Sequence, residues 1–175
     1  MREHTFSEDR DMRMVSRGLL LFAILMVHPA LGANLTGPVR VIDGDTIDMQ
    51  GVRIRLWGID APESRQTCAG KTDEVYECGR DATAVMSELT RGRTVECSQR
   101  DIDRYRRIVA VCRTEAGEIN AAMVRRGWAV DYTRYSGGHY QPEEHAARAE
   151  GLGIWAGRFE LPWEWRRDRR HGFRN

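Results

Sequence analysis

Residues 39–63 concentrate the side chains of this sequence that could do chemistry. Four carboxylates and one arginine stand there among apolar residues: Asp43, Asp45, Arg55, Asp60 and Glu63. Carboxylates that converge repel one another unless a cation neutralises them or some of them are protonated. Because the stretch contains no Cys or His, the cation that suits it is a hard divalent ion bound by oxygen, Ca²⁺ or Mg²⁺ rather than zinc.

Three predicted strands joined by tight turns position these side chains. Apolar residues recur at every second position in 39–41, 47–49 and 52–56 (Val52, Ile54 and Leu56), which is the period of a half-buried strand. The turn sequences are Asp43-Gly44-Asp45, Gln50-Gly51 and Asp60-Ala61-Pro62-Glu63, the last with a proline that cannot continue a sheet. The carboxylates therefore lie at strand ends and could converge on one rim with Arg55, which faces away from the core. Taken alone, each turn is more commonly an ordinary polar turn.

These motifs, with three more downstream, resemble the staphylococcal nuclease family in the same order along the chain. The motifs are Ile42-Asp43-Gly44-Asp45-Thr46, Arg55-Leu56, Asp60-Ala61-Pro62-Glu63, Asp103-Arg104-Tyr105-Arg106-Arg107, 119–127 and 151–155. The resemblance spans residues 37–156. It implies an α+β fold, namely a five-stranded OB-type β-barrel with three helices. It also implies a Ca²⁺-dependent nuclease that hydrolyses phosphodiester bonds of DNA, RNA or both.

The resemblance further implies a role for individual residues. Ca²⁺ would be held by Asp45, Asp60 and the backbone carbonyl of Ala61, with Asp43 supporting those ligands rather than binding the ion itself. Glu63 would activate water, and Arg55 and Arg107 would stabilise the phosphoryl transition state with their planar guanidinium donors. Tyr105 and Tyr135 fall where tyrosines line the nucleotide pocket, although a buried structural tyrosine is the ordinary interpretation. Arg106 stands where the family usually has glycine, and a left-handed turn costs a non-glycine residue about 1 kcal/mol.

The alternative function is a non-catalytic OB-type module that binds nucleic acid, since the same barrel serves both purposes. Retention of the four acids and of both arginines favours the enzyme. A protein that binds Ca²⁺ for structural reasons alone leaves Arg55 and Arg107 unexplained. The five histidines form no cluster with ligand spacing, so the sequence does not indicate a zinc or histidine-based nuclease.

Length and composition predict one domain, with a leader before it and a tail after it. The chain has 175 residues, 41% of them hydrophobic, which suffices for a single core. Residues 1–33 are predicted to be a signal peptide, because arginines precede an apolar run at 18–27 and small residues follow at 30–33. Translation could begin at Met12 or Met14, and an uncleaved interfacial anchor is the alternative to cleavage. We expect a nuclease-like domain over 34–157, exported to the periplasm or beyond as a monomer with no stable membrane association after processing.

All four cysteines follow the predicted signal peptide, which suits disulfides in an oxidising compartment. Four cysteines allow three connectivities. If a hairpin turn is centred between Arg104 and Tyr105, Cys97 and Cys112 oppose each other on paired strands and can be bridged, which leaves Cys68 for Cys78. A one-residue bulge in the hairpin would spoil that opposition, and ordinary buried thiols are the alternative.

Further elements are predicted downstream. The pattern predicts helices at about 79–90, 118–126 and 142–151, strands at 93–98 and 108–113, and loops at 64–77 and 132–140. The tail at 158–175 interleaves Trp163, Trp165 and Phe173 with arginines, a composition that suits nucleic-acid binding. Because the net charge is only +1, we favour a tail in which the two tryptophans cap the barrel and the rest is solvated and partly disordered.

Overall fold

The computed structural model describes residue 1 and residues 34–172. Residues 2–33 of the predicted signal peptide and the last three residues, Phe173 included, lie outside the described part. No helix within the described residues is long and apolar enough to cross a membrane.

Seven strands within residues 34–172 form one curled sheet. Five have four or more residues: β1 (Asn34–Gly37), β3 (Thr46–Met49), β4 (Val52–Leu56), β8 (Val95–Ile102) and β9 (Ile108–Thr114). The other two, β2 (Arg40–Val41) and β10 (Gly117–Glu118), have two residues each. The order is β1-β8-β9-β4-β3-β2 with β10 on β9, and only β4 and β9 pair in parallel among these strands. Because β1 also contacts β3, the sheet curls toward closure as an OB-type barrel does.

Helices cover the sheet, which makes the fold α+β as predicted. The three expected helices are α1 (Cys78–Thr90), α2 (Ile119–Arg125) and α4 (Gln141–Glu150). Gly127 and Gly151 follow α2 and α4 with φ of 72° and 62°, the left-handed conformation that commonly ends a helix. The structure adds a four-residue α3 (Thr133–Ser136), a 3₁₀ turn (Gly153–Ala156) and a C-terminal α5 (Pro162–Gly172).

Two small sheets lie in segments with little periodic signal. In one, β5 (Ile59–Asp60) pairs with β11 (Val130–Asp131), which brings the acidic turn after β4 next to the chain beyond α2. In the other, β6 (Cys68–Ala69) pairs with β7 (Val75–Tyr76). The segment at 64–77 is therefore not simply a surface loop as predicted. Strands of two residues are too short to show a period in the sequence.

The main core lies between the curled sheet and helices α1 and α2. Ile47, Ile54 and Leu56 are fully buried there, as strand alternation predicts, and they pack with Met86 and Met123 of the helices. Val52, which was expected in the same row, is 37% exposed because it follows the Gln50-Gly51 turn at the edge of the barrel.

A second, smaller core lies around the first disulfide. Its buried members are Cys68, Cys78, Val130 and Ile154, and aromatic residues of the C-terminal segment pack against it, namely Trp155, Phe159 and Trp163. This core holds the start of α5 against the body of the protein.

The disulfide pairing is Cys68 with Cys78 and Cys97 with Cys112, the connectivity favoured from hairpin geometry. The hairpin itself differs from the prediction, because Ile102 pairs with Ile108 and the turn is therefore centred on Tyr105. A register shift between Gln99 and Asp101 then places Cys97 opposite Cys112. The bulge that was expected to spoil the pairing is what creates it.

Residues 162–172 form a helix, so the prediction of a partly disordered end is wrong there, whereas residues 167–170 are exposed as expected. Helix α5 starts at Pro162, a position that suits a residue without an amide hydrogen. Its Trp163 ring stacks on Tyr132 with centroids 4.9 Å apart and planes at 6°. Helix α5 therefore packs against the segment that follows β11, although the two are about thirty residues apart in sequence.

Candidate active site

The turn between β2 and β3 carries Asp43 and Asp45 into contact with the second acidic turn. The Asp43 Oδ1 atom accepts the Asp45 amide at 3.0 Å, which closes the turn. A Cβ atom on Gly44 would lie 2.7 Å from the Cβ of Ala61 and 2.9 Å from that of Ala82, so only glycine permits this approach. The Ala61 amide in turn donates to Asp45 Oδ2 at 3.3 Å.

Arg55 joins the two acidic turns. It lies on β4 opposite Thr46 of β3, and its guanidinium points to the rim where both turns meet. Its Nη1 donates to Asp45 Oδ1 at 3.1 Å, and its Nη2 donates to Asp60 Oδ1 at 2.7 Å. The predicted convergence of Asp43, Asp45, Asp60 and Arg55 on one rim is therefore present in the structure.

Burial and mutual repulsion disfavour the charged forms of two of these acids. Burial and, second to it, the Asp45 charge raise the pKa of Asp43 to about 7. The pKa of Asp60 rises to about 6, because burial and the Asp45 charge outweigh the opposing effects of Arg166 and Arg55. The arginines at this rim thus compensate the acids only in part.

The loop that carries Glu63 is held by a buried glutamine. The Glu63 amide donates to the Gln66 Oε1 atom at 3.1 Å, and the Gln66 amide donates back to the Glu63 carbonyl at 2.6 Å. The Gln66 Nε2 atom donates to the Glu160 carbonyl at 2.6 Å, which ties the loop to the C-terminal segment. Gln66 is fully buried and lies in a polar stretch, so sequence patterns do not single it out.

Helix α1 packs directly on the Glu63 loop through a glycine at its start. A Cβ atom on Gly79 would lie 1.8 Å from the Glu63 carbonyl oxygen, a distance that no side chain tolerates. The position beside Cys78 is therefore occupied by glycine for steric reasons. Neither Gly79 nor Gln66 was among the predicted site residues.

Arg107 is placed by the five-residue turn between β8 and β9. Asp103 accepts the amides of Tyr105 and Arg107 at 2.9 Å each through Oδ1, and Arg107 Nε at 2.7 Å through Oδ2. Burial raises the pKa of Asp103, but these hydrogen bonds and the Arg107 charge outweigh that effect and hold it below its ordinary value. Arg106 has φ of 63°, so this turn keeps the left-handed residue although it is not glycine.

One cleft of about 1000 Å³ brings most of the predicted site residues together. Its lining includes Asp43, Asp45, Arg55, Ala61, Glu63, Tyr105, Arg107 and Tyr135. Tyr105 and Tyr135 are 64% and 59% exposed, so the interpretation of either as a buried structural tyrosine is wrong. Seven arginines line the cleft among the described residues: Arg53, Arg55, Arg104, Arg107, Arg134, Arg166 and Arg170.

Arg166 of α5 is a further site residue that sequence reasoning missed. Its Nη1 donates to Asp60 Oδ1 at 3.0 Å and its Nη2 donates to Asp60 Oδ2 at 2.8 Å. Nη1 also donates to a Glu63 carboxylate oxygen. The aromatic and basic composition of the tail was the only signal in the sequence, and it did not distinguish this arginine from its neighbours.

The acids of the rim are thus bound by arginines. Within residues 34–172, no group of three or more His, Cys, Asp or Glu side chains has the arrangement of a formed metal site. The donors at the rim are nevertheless all oxygen atoms: the carboxylates of Asp43, Asp45 and Asp60 with the neighbouring Ala61 backbone. That chemistry suits Ca²⁺ or Mg²⁺.

Comparison with known proteins identifies the family. The staphylococcal nuclease homologue family matches residues 53–157 of the chain. A micrococcal nuclease of Shigella flexneri is 32% identical over 169 residues, which cover 86% of this chain and 91% of that protein. An uncharacterized endonuclease of Haemophilus influenzae is 31% identical over 166 residues, 88% of each chain. The succinoglycan biosynthesis protein ExoI of Rhizobium meliloti is 37% identical over 141 residues, 79% of this chain and 74% of that protein.

The family match begins at Arg53 in β4. It includes the acidic turn at 60–63, the β8–β9 turn and the helices up to the 3₁₀ turn. It includes most of the elements that build the cleft, whereas the first acidic turn and α5 lie outside residues 53–157. The relatives extend the similarity over most of the described residues. The chain belongs to the staphylococcal nuclease family and is a nuclease, an enzyme that hydrolyses phosphodiester bonds.

Proposed function

We propose that the protein is a Ca²⁺-dependent nuclease whose active site is the cleft between the two acidic turns, the β8–β9 turn and helix α5. One observation carries the proposal: crowded, buried carboxylates, the Glu63 carboxylate and the guanidiniums of Arg55 and Arg107 share one cleft. Exposed tyrosines beside them offer faces on which bases can stack.

The metal would be held by Asp45, Asp60 and the Ala61 backbone carbonyl, with Asp43 supporting them through the Asp45 amide. These residues suit a divalent cation because their carboxylates are buried and close together, which raises the pKa of Asp43 and of Asp60. A bound cation would stabilise the charged form of these carboxylates. When bound, the ion supplies a positive charge next to the phosphate and a preference for oxygen ligands. Ca²⁺ suits this site better than Mg²⁺, which demands stricter octahedral geometry.

The side chains of the chain itself supply the remaining steps. Glu63 accepts a proton from the attacking water, a role that its carboxylate at the edge of the cleft allows. Arg55 and Arg107 donate hydrogen bonds to the non-bridging phosphate oxygens, where negative charge increases as the phosphorus becomes five-coordinate. The bond from phosphorus to the leaving ester oxygen then breaks, and that oxygen takes up a proton from solvent. Asp103 positions Arg107 through Nε, which leaves the two amino groups of this cleft residue outside that contact and able to bind a phosphate.

The assay that tests this proposal compares cleavage of single- and double-stranded DNA and RNA with Ca²⁺, with Mg²⁺ and with excess chelator. We expect hydrolysis in Ca²⁺, little in Mg²⁺ and almost none in chelator, because removal of the ion removes the positive charge that it would supply next to the phosphate. Undiminished hydrolysis in chelator would show the metal assignment to be wrong. Binding of nucleic acid with no cleavage under any condition would instead support the OB-type binding module.

We further propose that the protein is exported after cleavage of the leader near residue 33 and acts as a monomer. The two disulfides support an oxidising compartment, since such bonds rarely persist in the cytosol. Mass spectrometry of the exported protein should give the mass of a chain starting near Asn34, less four hydrogens for two disulfides. A full-length mass, or thiols that react with an alkylating agent before reduction, would contradict the proposal.

A further inference from the structure

Arg166 makes a two-pronged ion pair with the acid at the centre of the rim. It follows Asp60 by 106 positions and reaches it from α5, an element outside the residues matched by the family. Both of its amino groups bond Asp60, at 3.0 Å and 2.8 Å, and one also bonds Glu63. Arginine binds a carboxylate most strongly in this paired geometry.

These contacts engage the two carboxylates to which the proposed nuclease mechanism assigns the metal and the water. The Asp60 side chain is fully buried, so its oxygens reach only groups inside the site. Oδ1 accepts from Arg55 and Arg166, and Oδ2 accepts from Arg166. Arg166 also holds the Glu63 carboxylate. Three of the roughly four acceptor positions of the Asp60 carboxylate are thus taken by arginines, and a divalent ion at Asp60 would lie beside the positive charge of Arg166. The ion and Arg166 therefore compete for the same carboxylate.

Helix α5 keeps Arg166 beside the rim independently of those bonds. Trp163 stacks on Tyr132, and Gln66 donates to the Glu160 carbonyl just before the helix. The guanidinium is thus present at high effective concentration even when its partners are taken. Its long side chain can turn into the cleft, which Arg170 lines one helical turn further on.

We propose that Arg166 is a third functional arginine of this site, which competes with the divalent cation for Asp60 and Glu63 and thereby sets the metal affinity. The inference rests on the proposed metal site. Arg166 neutralises the two acids from within the chain, and the cation exchanges with it. The released guanidinium then lies in the cleft that holds the substrate phosphates.

Calorimetric titration of Ca²⁺ into the metal-free protein tests the inference without measuring activity. We expect Arg166→Gln to bind Ca²⁺ about tenfold more tightly than the parent. In the parent, Arg166 must leave Asp60 before the ion binds, and the substitution removes that cost. Arg166→Lys, which keeps the charge and loses the fork, should bind with intermediate affinity. Arg170→Gln removes the same charge from the same cleft and should leave the affinity near that of the parent.

Thermal unfolding of the same proteins gives a second measurement. In chelator, Arg166→Gln should melt below the parent, since Asp60 loses its main partner while it stays buried. Saturating Ca²⁺ should raise its midpoint more than that of the parent.

Three other outcomes would count against the inference. Equal or weaker Ca²⁺ binding by Arg166→Gln, with the parent still binding, would overturn the competition and leave the proposed nuclease site intact. An equal gain for Arg170→Gln would assign the effect to net charge and not to the Arg166 contacts. No Ca²⁺ binding by any of the proteins would overturn the metal site itself and the inference with it.

Discussion

Glu63→Gln is expected to lower turnover by about two to four orders of magnitude, the usual contribution of a general base. The change keeps the shape and volume of the side chain but removes the carboxylate that would accept the proton from water. The fold should survive, because the side chain is 33% exposed and the loop is held through its backbone by Gln66. Turnover, Ca²⁺ affinity and thermal unfolding of one preparation would measure the effect.

The matched control is Glu77→Gln, the same substitution at the residue just before helix α1. The Glu77 side chain is 60% exposed and forms an ion pair with Arg80. It should leave turnover unchanged. If Glu63→Gln cleaves nucleic acid at the parent rate while folding normally, another group activates water and the mechanism proposed above is wrong.

Arg107→Lys is expected to lower turnover by about 10²- to 10³-fold, the cost of removing one preorganised donor to a developing negative charge. Lysine keeps the positive charge but loses both the Nε contact to Asp103 and the planar pair of donors. Binding of an uncleaved nucleotide in Ca²⁺ should change much less, because the loss falls on the transition state. Single-turnover rates and equilibrium binding would separate the two effects.

Arg106→Lys is the matched control for this second change. Arg106 lies in the same turn with φ of 63°, is exposed, and does not line the cleft. Its replacement should leave both rate and binding close to those of the parent. An Arg107→Lys protein that loses nucleotide affinity as strongly as rate would show that Arg107 binds the ground state and not the transition state.

Much of the acidic rim could be predicted from short stretches of sequence. The turn at Asp43-Gly44-Asp45 is closed by a hydrogen bond from the Asp45 amide to the Asp43 side chain. Arg55 lies opposite Thr46 because the Gln50-Gly51 turn joins β3 to β4. Such contacts lie within about twenty residues and follow from strand period and turn chemistry. The family resemblance added the Asp103–Arg107 turn, which is also local.

The register of the β8–β9 hairpin shows where local reasoning reached its limit. Symmetry about an assumed turn paired Cys97 with Cys112 correctly, but the turn is centred elsewhere and a bulge restores the pairing. A bulge depends on how two strands pack against the rest of the barrel, and single-sequence patterns do not encode it. The same holds for Gln66, whose burial depends on the distant Glu160 carbonyl.

Composition was least informative about the electrostatics of the cleft. A net charge of +1 argued against a strongly basic binding face, and among the described residues seven arginines line one cleft together with five carboxylates, so both signs of charge are concentrated there. Net charge sums over the whole surface, whereas a substrate responds to the charges that surround its own binding site. Where those charges lie is decided by packing of elements remote from one another.

The sequence by itself determined the nuclease family, the barrel strands, the two acidic turns and the types of side chain that could do the chemistry. Each of these depends on patterns of a few residues, set by backbone geometry and alternation. Only the tertiary structure decided that α5 folds, that Trp163 stacks on Tyr132, and that Arg166 bonds Asp60. Contacts across about a hundred residues arise because a helix with one apolar face must find a partner surface, and the folded chain alone provides it.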